Sequence, residues 1–160
     1  MRETQNVSVA LATYNGELYL ARQLDSILCQ DYLPMEIVVC DDASTDGTRE
    51  LLERYREKNP DLFKLKYNEN NLGYVRNFQK AISLCSGDCI ALCDQDDIWE
   101  PWKIRTLLEK IGENDAIHSD ALLMDENENI IAPSYTRFSR KKIKNLSFID
   151  ICFNNSITGC

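Results

Sequence analysis

Short apolar runs alternate with helix-length amphipathic segments over the first 125 residues, and this alternation constrains the fold more than any other feature. The runs that predict strands are VSVALA, EIVVC, FKLKY and CIALC, at residues 7–12, 36–40, 63–67 and 89–93. Strands separated by helices need crossover connections, which favour a mainly parallel sheet with helices on its faces. We therefore expect an α/β fold in which residues 89–93 form a buried central strand.

Each intervening segment carries apolar residues at helical spacing, so that one face of each predicted helix can pack on the sheet. The apolar positions are Leu20, Leu24, Ile27 and Leu28 in residues 17–30; Leu51, Leu52 and Tyr55 after a cap at Ser44 or Asp46; Val75, Phe78 and Ile82; and Leu107, Leu108 and Ile111. After the last helix, residues 116–124 predict a strand that turns at 125–129 into residues 130–131. No internal repeat or interior linker interrupts this order.

Three of the predicted strands end in polar loops. The loops are TYNG at residues 13–16, DDASTDG at 41–47 and DQDD at 94–97. The carboxyl ends of parallel strands lie at one edge of a sheet, which is where open α/β folds bind ligands. We therefore expect the three loops to surround one crevice.

The third loop holds three carboxylates within four residues, Asp94, Asp96 and Asp97. They repel one another, and such clusters usually hold a divalent cation or a polar ligand, although a solvated acidic turn is the alternative. In the same crevice, Tyr14 can stack on a base, and the aspartate pair at 41–42 can accept a base N–H. This combination suggests a nucleoside diphosphate held through a metal ion.

Charge and hydropathy exclude several other classes of protein. The net charge of −8 disfavours nucleic acid as a partner. No apolar run approaches the roughly 20 residues of a membrane span, and MRETQN is not a signal peptide, so we expect a cytoplasmic protein. From position 137 onward the sequence contains five basic residues and one acidic residue. The basic 137–144 stretch can contact an anionic acceptor or the cytoplasmic face of the membrane, with a solvated linker as the alternative.

The sequence contains residues that suggest two other kinds of metal site. Seven cysteines and one histidine form no zinc pattern, because Cys89 and Cys93 lie about 13 Å apart on one predicted strand. A calcium site is a more distant alternative. The EF-hand pattern D-x-[DNS]-x-[DNS]-G-x5-E is matched by Asp42, Ser44, Asp46, Gly47 and Glu53. An apolar, β-branched segment precedes this loop, however, where an EF-hand needs a helix.

Four motifs, VSVALATYNG, EIVVCDDASTDGT, NLGYVRNFQKAI and LCDQDDIWEP, resemble in order and spacing the signatures of the family-2 inverting glycosyltransferases. The resemblance implies a GT-A fold, which is Rossmann-like, with three layers and a mainly parallel sheet. It comprises a nucleotide-sugar-binding half and, here, the start of the acceptor half. DQDDIW, with NLGYVRNF before it and HSD after it, is similar to the branch that includes bacterial rhamnosyltransferases of surface-polysaccharide synthesis.

The resemblance implies metal-dependent transfer of a sugar from a nucleoside-diphosphate sugar, dTDP-rhamnose or a UDP-sugar, to a glycan or lipid-linked acceptor. The cofactor would be Mg²⁺ or Mn²⁺. The implied nucleotide-sugar-binding residues are Ala12 and Tyr14 beside the base, Asp42 as acceptor of its N–H, Arg76 near the nucleotide, and the D-x-D element Asp94, Gln95 and Asp96. In that element Gln95 would lie by the ribose, and Asp96 with Asp94 would ligate the cation.

Three neighbouring features are expected to be structural. Asp97 is expected to brace its loop or to cap the helix that Pro101 opens. Trp99 and Trp102 are expected to pack that helix on the sheet rather than to line the sugar site. Residues 70–73 are expected to form only a turn.

Inversion needs an acidic side chain that deprotonates the acceptor hydroxyl in a single displacement. In the family this residue lies beyond the acceptor-side strand, so we expect it after Cys160. The expected organisation is one domain, 1–160, cut short at its C-terminus, with a nucleotide-sugar-binding part (1–125) and the start of an acceptor-binding part (126–160). Asp120 and His118 are the nearest substitutes, although a strand-end turn also explains them. A nucleotide-sugar-binding fragment or subunit without turnover is the alternative function.

Overall fold

The computed structural model describes residues 5–125 and 129–138. The chain divides into two compact units, Met1–Leu108 and Glu109–Cys160. The elements are β1 (Val7–Thr13), α1 (Leu20–Leu28), β2 (Glu36–Asp41), α2 (Thr48–Lys58), β3 (Phe63–Tyr67), α3 (Tyr74–Leu84), β4 (Cys89–Cys93), α4 (Lys103–Ile111), β5 (Leu123–Met124), β6 (Ile130–Ala132) and α5 (Tyr135–Phe138). The predicted alternation of strands and helices is confirmed up to α4. The predicted functional division at residue 125 stays a prediction.

The first four strands form a parallel sheet in the order β3-β2-β1-β4. Leu11 of β1 aligns with Val39 of β2 and with Cys93 of β4, so the three strands end side by side. The prediction that β4 is a buried central strand is wrong. Among the described residues β4 is an edge strand, and its Ile90 and Leu92 side chains are 40% and 44% exposed. A short apolar run is typical of both central and edge strands, and it does not reveal how many strands pair with it.

Helices cover both faces of this sheet and give three layers. On one face, α1 and α2 pack on the strands through Leu20, Leu24, Ile27, Leu51 and Leu52. On the other face, Ala81 of α3 packs against Ala10 and Cys40. Complete burial of a leucine or isoleucine side chain contributes about 1.5–3 kcal/mol, so the first face supplies most of the apolar core. The predicted three-layer α/β architecture is confirmed.

The helix α3 does not bury the face that its apolar spacing predicts. Val75 is 52% exposed and Ile82 is also exposed, whereas Asn77 and Ala81 are buried. Asn77 Nδ2 donates to the carbonyl oxygen of Cys40 at 2.7 Å, so its buried amide has a partner. Asn77 therefore occupies a core position, because its side chain is hydrogen-bonded there. The spacing of apolar residues cannot reveal such a position.

In the second unit, β5 and β6 pair antiparallel around the predicted turn. The backbone N–H of Asp125 donates to the carbonyl of Asn129 at 3.0 Å, which closes the turn. The predicted strand over residues 116–124 is wrong for residues 116–122, which form no strand. Within this segment the Asp120 side chain accepts a hydrogen bond from Thr136 N at the start of α5.

No helix among the described residues combines the length and the apolar character needed to cross a membrane. Of the basic 137–144 stretch, residues 139–144 lie outside the described residues. The contact of this stretch with a membrane surface therefore stays a prediction.

The amino edge of the sheet is held by one buried carboxylate, Glu36 at the start of β2. Ser8 Oγ donates to Glu36 Oε1 at 2.5 Å, and the amide N–H and hydroxyl of Ser86 donate to the same oxygen at 2.6 and 3.0 Å. Lys64 forms an ion pair with the other oxygen. Burial alone would raise the pKa of Glu36, but the hydrogen bonds together lower it to about 2. Gly87 packs closely here, since an added Cβ would lie 2.7 Å from the backbone nitrogen of Ser8.

Candidate functional site

The loops after β1, β2 and β4 meet at the carboxyl edge of the sheet and line a cavity of about 510 Å³. The cavity is lined by Ala12, Thr13, Tyr14, Asp42, Asn71, Gly73, Tyr74, Asn77, Phe78, Asp94, Gln95 and Asp96. The predicted convergence of the three loops is confirmed, and six of the seven predicted nucleotide-sugar-binding residues lie at the cavity. The seventh, Arg76, is exposed on α3 and does not line it. The roles of all seven residues toward a ligand stay predictions.

Hydrogen bonds between the loops after β1 and β2 fix the rim of the cavity. Asn15 N donates to Ser44 Oγ at 2.9 Å, and Gly16 N donates to Thr48 Oγ1 at 2.8 Å. In these two loops Asn15 and Ala43 have positive φ, at 47° and 62°. Asparagine adopts this left-handed conformation readily, but alanine is strained in it. The contacts around Ala43 therefore impose the path of the loop that carries the aspartate pair.

The two aspartates of that pair have different environments. Asp41 is fully buried, accepts a hydrogen bond from Thr13 Oγ1 at 3.2 Å and forms an ion pair with Arg49 Nε at 2.8 Å. The guanidinium of Arg49 also lies 5.1 Å from the ring centroid of Tyr67. Asp41 is thus committed to the protein, and Asp42 is the member of the pair that reaches the cavity.

Asp42 also holds the loop that follows β3. Its Oδ1 accepts from Asn68 Nδ2 and Leu72 N, both at 2.8 Å, and its Oδ2 accepts from Gly73 N at 2.9 Å. A carboxylate can accept about four hydrogen bonds, so Oδ2 retains a lone pair for one further donor. Asp42 therefore connects β2 to the loop after β3 and can still bind a ligand.

Gln95 bridges two of the converging loops. Its Oε1 accepts from Tyr14 N at 2.8 Å, and its Nε2 donates to Tyr14 O at 3.0 Å. A Cβ on Gly16 would overlap the Gln95 amide, so the glycine leaves room for this bridge. Both ends of the amide are engaged with Tyr14, and the predicted contact of Gln95 with a ribose stays a prediction.

The acidic loop after β4 contains carboxyls with strongly raised pKa values. Burial, followed by the charge of Asp96, raises the pKa of Asp94 to about 6. Burial, followed by Asp94, raises the pKa of Asp97 to about 6, although Lys103 opposes the shift. Within the described residues, Asp97 Oδ2 is buried without a hydrogen-bond partner, and α4 begins only at Lys103. The prediction that Asp97 caps the helix is therefore wrong, and the alternative that it braces its loop stays a prediction.

The oxygen donors of this loop fit a divalent cation. Asp94 and Asp96 present carboxylates, which Mg²⁺ and Mn²⁺ prefer, and a cation between them would relieve their repulsion. In the part of the chain that the structure describes, no three His, Cys, Asp or Glu side chains are grouped to hold a metal alone. A cation bound here would thus need further oxygen ligands, such as phosphate and water, which is the usual arrangement for Mg²⁺.

The two tryptophans near the acidic loop differ. Trp99 is buried in the core, its backbone N–H donates to Ser26 Oγ at 3.0 Å, and Lys103 Nζ lies 4.8 Å from its ring centroid. The predicted packing role is confirmed for Trp99. It is wrong for Trp102, which is 56% exposed.

The calcium alternative is overturned by the geometry of its motif. The loop follows strand β2 rather than a helix. Its acidic side chains bind separate partners, since Asp46 Oδ1 accepts from Thr48 N at 3.1 Å and Glu53 accepts from Tyr67 OH at 2.7 Å. Asp46 therefore binds the first residue of α2, whose N-cap position is Gly47 rather than either predicted capping residue, and the motif does not surround an ion.

Asp120, a substitute for the catalytic base, is engaged at the start of α5. Ser134 Oγ donates to its Oδ2 at 2.6 Å, and Thr136 N donates to its Oδ1 at 3.1 Å. The hydrogen bond from Ser134, with those from Thr136 and Ala121, lowers the pKa of Asp120 to about 2. A carboxylate with such a low pKa is a poor proton acceptor. His118, the other substitute, is exposed, and its ring Nδ1 lies 3.3 Å from the carbonyl oxygen of Ser119.

The sequence reasoning missed the contribution of the loop after β3 and of α3. These cavity residues are Asn71, Gly73, Tyr74, Asn77 and Phe78. A signal was available, because β3 is parallel to β2 and its following loop must emerge at the same edge of the sheet. The expectation that residues 70–73 form only a turn was therefore too narrow.

The chain matches the glycosyl transferase family 2 over residues 8–156. It is 35% identical over 129 residues to the putative glycosyltransferase EpsE of Bacillus subtilis, which is 79% of this chain and 46% of EpsE. It is 34% identical over 110 residues to the dTDP-rhamnosyl transferase RfbG of Shigella flexneri, which is 66% of this chain and 38% of RfbG. The chain thus spans less than half the length of these relatives.

A solved structure of the same fold is the mannosyltransferase PcManGT of Pyrobaculum calidifontis in complex with GDP-Man and Mn²⁺. It superposes with a TM-score of 0.64 and 28% identity, over 71% of this chain and 34% of that chain. The likeness confirms the GT-A form of the α/β fold. Together with the family match over nearly all of the sequence, it establishes that the chain belongs to the glycosyl transferase family 2.

Proposed function

We propose that this chain binds the nucleoside-diphosphate sugar donor of a metal-dependent, inverting glycosyltransferase. The sugar goes to a glycan or lipid-linked acceptor in the synthesis of a cell-surface polysaccharide. Family membership supports the reaction class. The observation that carries the proposal is the single cavity in which Tyr14 and Asp42 lie together with the acidic pair Asp94 and Asp96.

The nucleobase of the donor occupies the side of the cavity formed by β1 and β2. Ala12 and Tyr14 border the base, and the free lone pair on Asp42 Oδ2 accepts one of its N–H groups. The bridge from Gln95 holds the backbone of Tyr14 in place before the ligand arrives, which reduces the entropy lost on binding. In this proposal Asp42 accepts a hydrogen bond from the nucleobase and Tyr14 offers a stacking face.

The diphosphate lies at the side of the cavity formed by β4, where Asp96 and Asp94 hold Mg²⁺ or Mn²⁺. When bound, the cation supplies Lewis-acid stabilisation of the negative charge that grows on the leaving diphosphate. Asp96, exposed at the cavity, offers its carboxylate directly, and Asp94 offers a second, half-buried one. The Mn²⁺ in the related mannosyltransferase structure supports a divalent cation.

The donor is dTDP-rhamnose or a UDP-sugar. Similarity to the dTDP-rhamnosyl transferase RfbG supports the first. Thymine and uracil both carry an imide N–H that a carboxylate can accept, so Asp42 suits either base. Because Arg76 lies outside the cavity and Gln95 is engaged with Tyr14, direct contacts of these two residues with the nucleotide require side-chain movement on binding.

A second candidate function is donor binding without sugar transfer. The specific observation in its favour is the state of Asp120, whose oxygens bind Ser134 and Thr136 and whose pKa is lowered to about 2. A base of this kind would assist deprotonation of an acceptor hydroxyl only weakly. Sugar transfer by this chain to a glycan acceptor would exclude the second candidate.

The proposal includes peripheral contact with the cytoplasmic face of the membrane through the basic 137–144 stretch. Lysine and arginine near an anionic lipid surface contribute about 1 kcal/mol each. Such contact would bring the cavity to a lipid-linked acceptor.

Isothermal titration calorimetry of UDP, dTDP and GDP, with and without Mn²⁺, tests the proposal. We expect Mn²⁺ to strengthen binding to the parent chain but not to Asp96→Ala. Asp61→Ala is the matched control, because it removes an exposed carboxylate before β3 at the opposite edge of the sheet. Equal enhancement by Mn²⁺ in Asp96→Ala would contradict the metal assignment. Failure of the parent to bind any of the three nucleotides would contradict the proposal.

A further inference from the structure

Tyr74, the first residue of α3, is the most exposed aromatic side chain at the cavity. It is 79% exposed, compared with 48% for Tyr14, which also lines the cavity. An aromatic ring in water gains free energy when a flat apolar surface covers it. Tyr74 therefore offers a second stacking face that the protein itself leaves uncovered.

Asp42 fixes the backbone next to both tyrosines. Its N–H donates to the carbonyl oxygen of Thr13 at 2.8 Å, and Tyr14 follows Thr13 in the chain. Its Oδ2 accepts from Gly73 N at 2.9 Å, and Tyr74 follows Gly73. Each tyrosine therefore directly follows a residue whose backbone is hydrogen-bonded to Asp42. The remaining lone pair of Asp42 is the proposed acceptor for an N–H group of the nucleobase.

The glycine before Tyr74 makes this placement available. Gly73 has a φ of 80°, in the left-handed region that favours glycine, and its carbonyl accepts Asn77 N at 3.0 Å to begin α3. No heavy atom lies within 4 Å of an added Cβ, so the space beside this turn is open. Tyr14 and Tyr74 are not among the aromatic ring contacts of the described residues. Both side chains line the same cavity and are not stacked on each other.

We propose that Tyr74 is a positioning residue that stacks on the face of the nucleobase opposite Tyr14 when the donor binds. This inference rests on the proposed function. Stacking depends on the π-face of the base and not on its hydrogen-bond pattern. Tyr74 would thus set the affinity for the nucleoside part of the donor, while Asp42 selects a base with an N–H group.

The test compares a ligand that has a base with one that has none. UDP, dTDP and GDP are titrated with Mn²⁺ into the parent chain and into Tyr74→Ala, Tyr74→Phe and Val75→Ala, and inorganic pyrophosphate serves as the probe without a base. Val75 is the matched control, because it is exposed in the same turn of α3 but does not line the cavity. All three variants should fold, since neither side chain is buried.

We expect Tyr74→Ala to weaken binding of the preferred nucleotide by about 5- to 100-fold, while pyrophosphate binding stays within twofold of the parent. Tyr74→Phe retains the ring and should bind like the parent, as should Val75→Ala. Unchanged nucleotide affinity in Tyr74→Ala would overturn the inference and leave the proposed function intact. An equal loss for pyrophosphate would also overturn it, because the effect would then not depend on the base. Absence of nucleotide binding in the parent would overturn both.

Discussion

Carboxylates lie at both edges of the same parallel sheet, and their surroundings differ in the partners that the protein supplies. At the amino edge, Glu36 receives several hydrogen bonds and an ion pair, and its pKa is lowered to about 2. At the carboxyl edge, burial and then the neighbouring carboxylates raise the pKa values of Asp94 and Asp97 to about 6. Glu36 is thus stabilised in its charged form, whereas Asp94 and Asp97 are destabilised in theirs.

This difference separates a structural carboxylate from one that is available to a ligand. Donors around Glu36 offset its desolvation, so its burial stabilises the fold. Asp94 and Asp97 lack donors that offset their desolvation. Their negative charge therefore lowers the stability of the fold unless a bound cation neutralises it. Substitutions at each edge in turn test whether the two kinds of carboxylate differ in this way.

Removal of the carboxylate at the amino edge has the largest expected effect. Glu36→Ala leaves Lys64 without its ion-pair partner and leaves the hydroxyls of Ser8 and Ser86 without their acceptor. We expect the free energy of unfolding, measured by urea denaturation, to fall by about 3 kcal/mol. Nucleotide binding by the folded protein should persist, because the cavity is at the other edge. A loss below about 0.5 kcal/mol, which is typical of surface substitutions, would show that Glu36 does not stabilise the amino edge of the sheet.

Two glycines provide a matched pair of alanine substitutions. In Gly87→Ala the new Cβ meets the backbone nitrogen of Ser8, which cannot move freely, so we expect a loss of about 2 kcal/mol in unfolding free energy. In Gly16→Ala the Cβ meets the amide of Gln95, the end of a flexible side chain, so the loss should be below about 1 kcal/mol. Breaking the Gln95–Tyr14 bridge should instead weaken nucleotide binding by about three- to tenfold. Thermal melts and calorimetry measure the two effects, and the reverse pattern would contradict the division between the edges.

The dependence of stability on pH should have opposite signs at the two edges. Glu36 has a folded pKa of about 2, below its ordinary value of 4.5, so its contribution is present above pH 4.5 and is lost as the pH falls toward 2. Asp94 and Asp97 have folded pKa values of about 6, above 3.8, so their protonation increases stability as the pH falls from about 6 toward 3.8. In metal-free buffer we expect stability at pH 4.5 to exceed that at pH 7 by about 1–2 kcal/mol.

The matched variant for the pH profile is the double substitution Asp94→Asn and Asp97→Asn. It should flatten the profile between pH 4.5 and 7 and leave the decrease at lower pH unchanged. Urea denaturation across the pH range provides the measurement. A profile identical to that of the parent would show that these two groups do not titrate differently in the folded and unfolded chain.

The smallest expected effect comes from Asp97 alone. Asp97→Asn replaces a carboxylate that has an unpartnered buried oxygen and that lies beside other negative charges. We expect unfolding free energy at pH 7 to rise by about 0.5–1 kcal/mol. A decrease of similar size would show that Asp97 braces its loop.

Features encoded by local spacing could be predicted from the sequence. The strand runs, the helical spacing of Leu20, Leu24 and Ile27, and the polar loops at the strand ends sufficed for the α/β fold and for the meeting of Asp42 with Asp94 at one edge. The physical reason is that periodicity of 2 or 3.6 residues reports which face is buried, and parallel topology then brings the strand ends together.

Features that depend on contacts distant in sequence could not be predicted. The bridge between Gln95 and Tyr14 joins residues 81 positions apart, and the core position of Asn77 depends on the carbonyl of Cys40 on another element. The edge position of β4 depends on which strands pair, about which its own apolar residues carry no information. In each case the deciding interaction involves a segment that is distant in the sequence.

Stability and binding measured together in Asp94→Asn test most directly whether the carboxyl edge keeps its carboxylates for a ligand. Urea denaturation gives the unfolding free energy, and calorimetry gives the affinity for the preferred nucleoside diphosphate with and without Mn²⁺ in the same preparation. We expect unfolding free energy equal to or above that of the parent, together with at least a tenfold loss of the Mn²⁺-dependent part of binding. A variant that loses stability but binds the nucleotide and Mn²⁺ as the parent does would contradict the claim that the carboxyl edge keeps its carboxylates for a ligand.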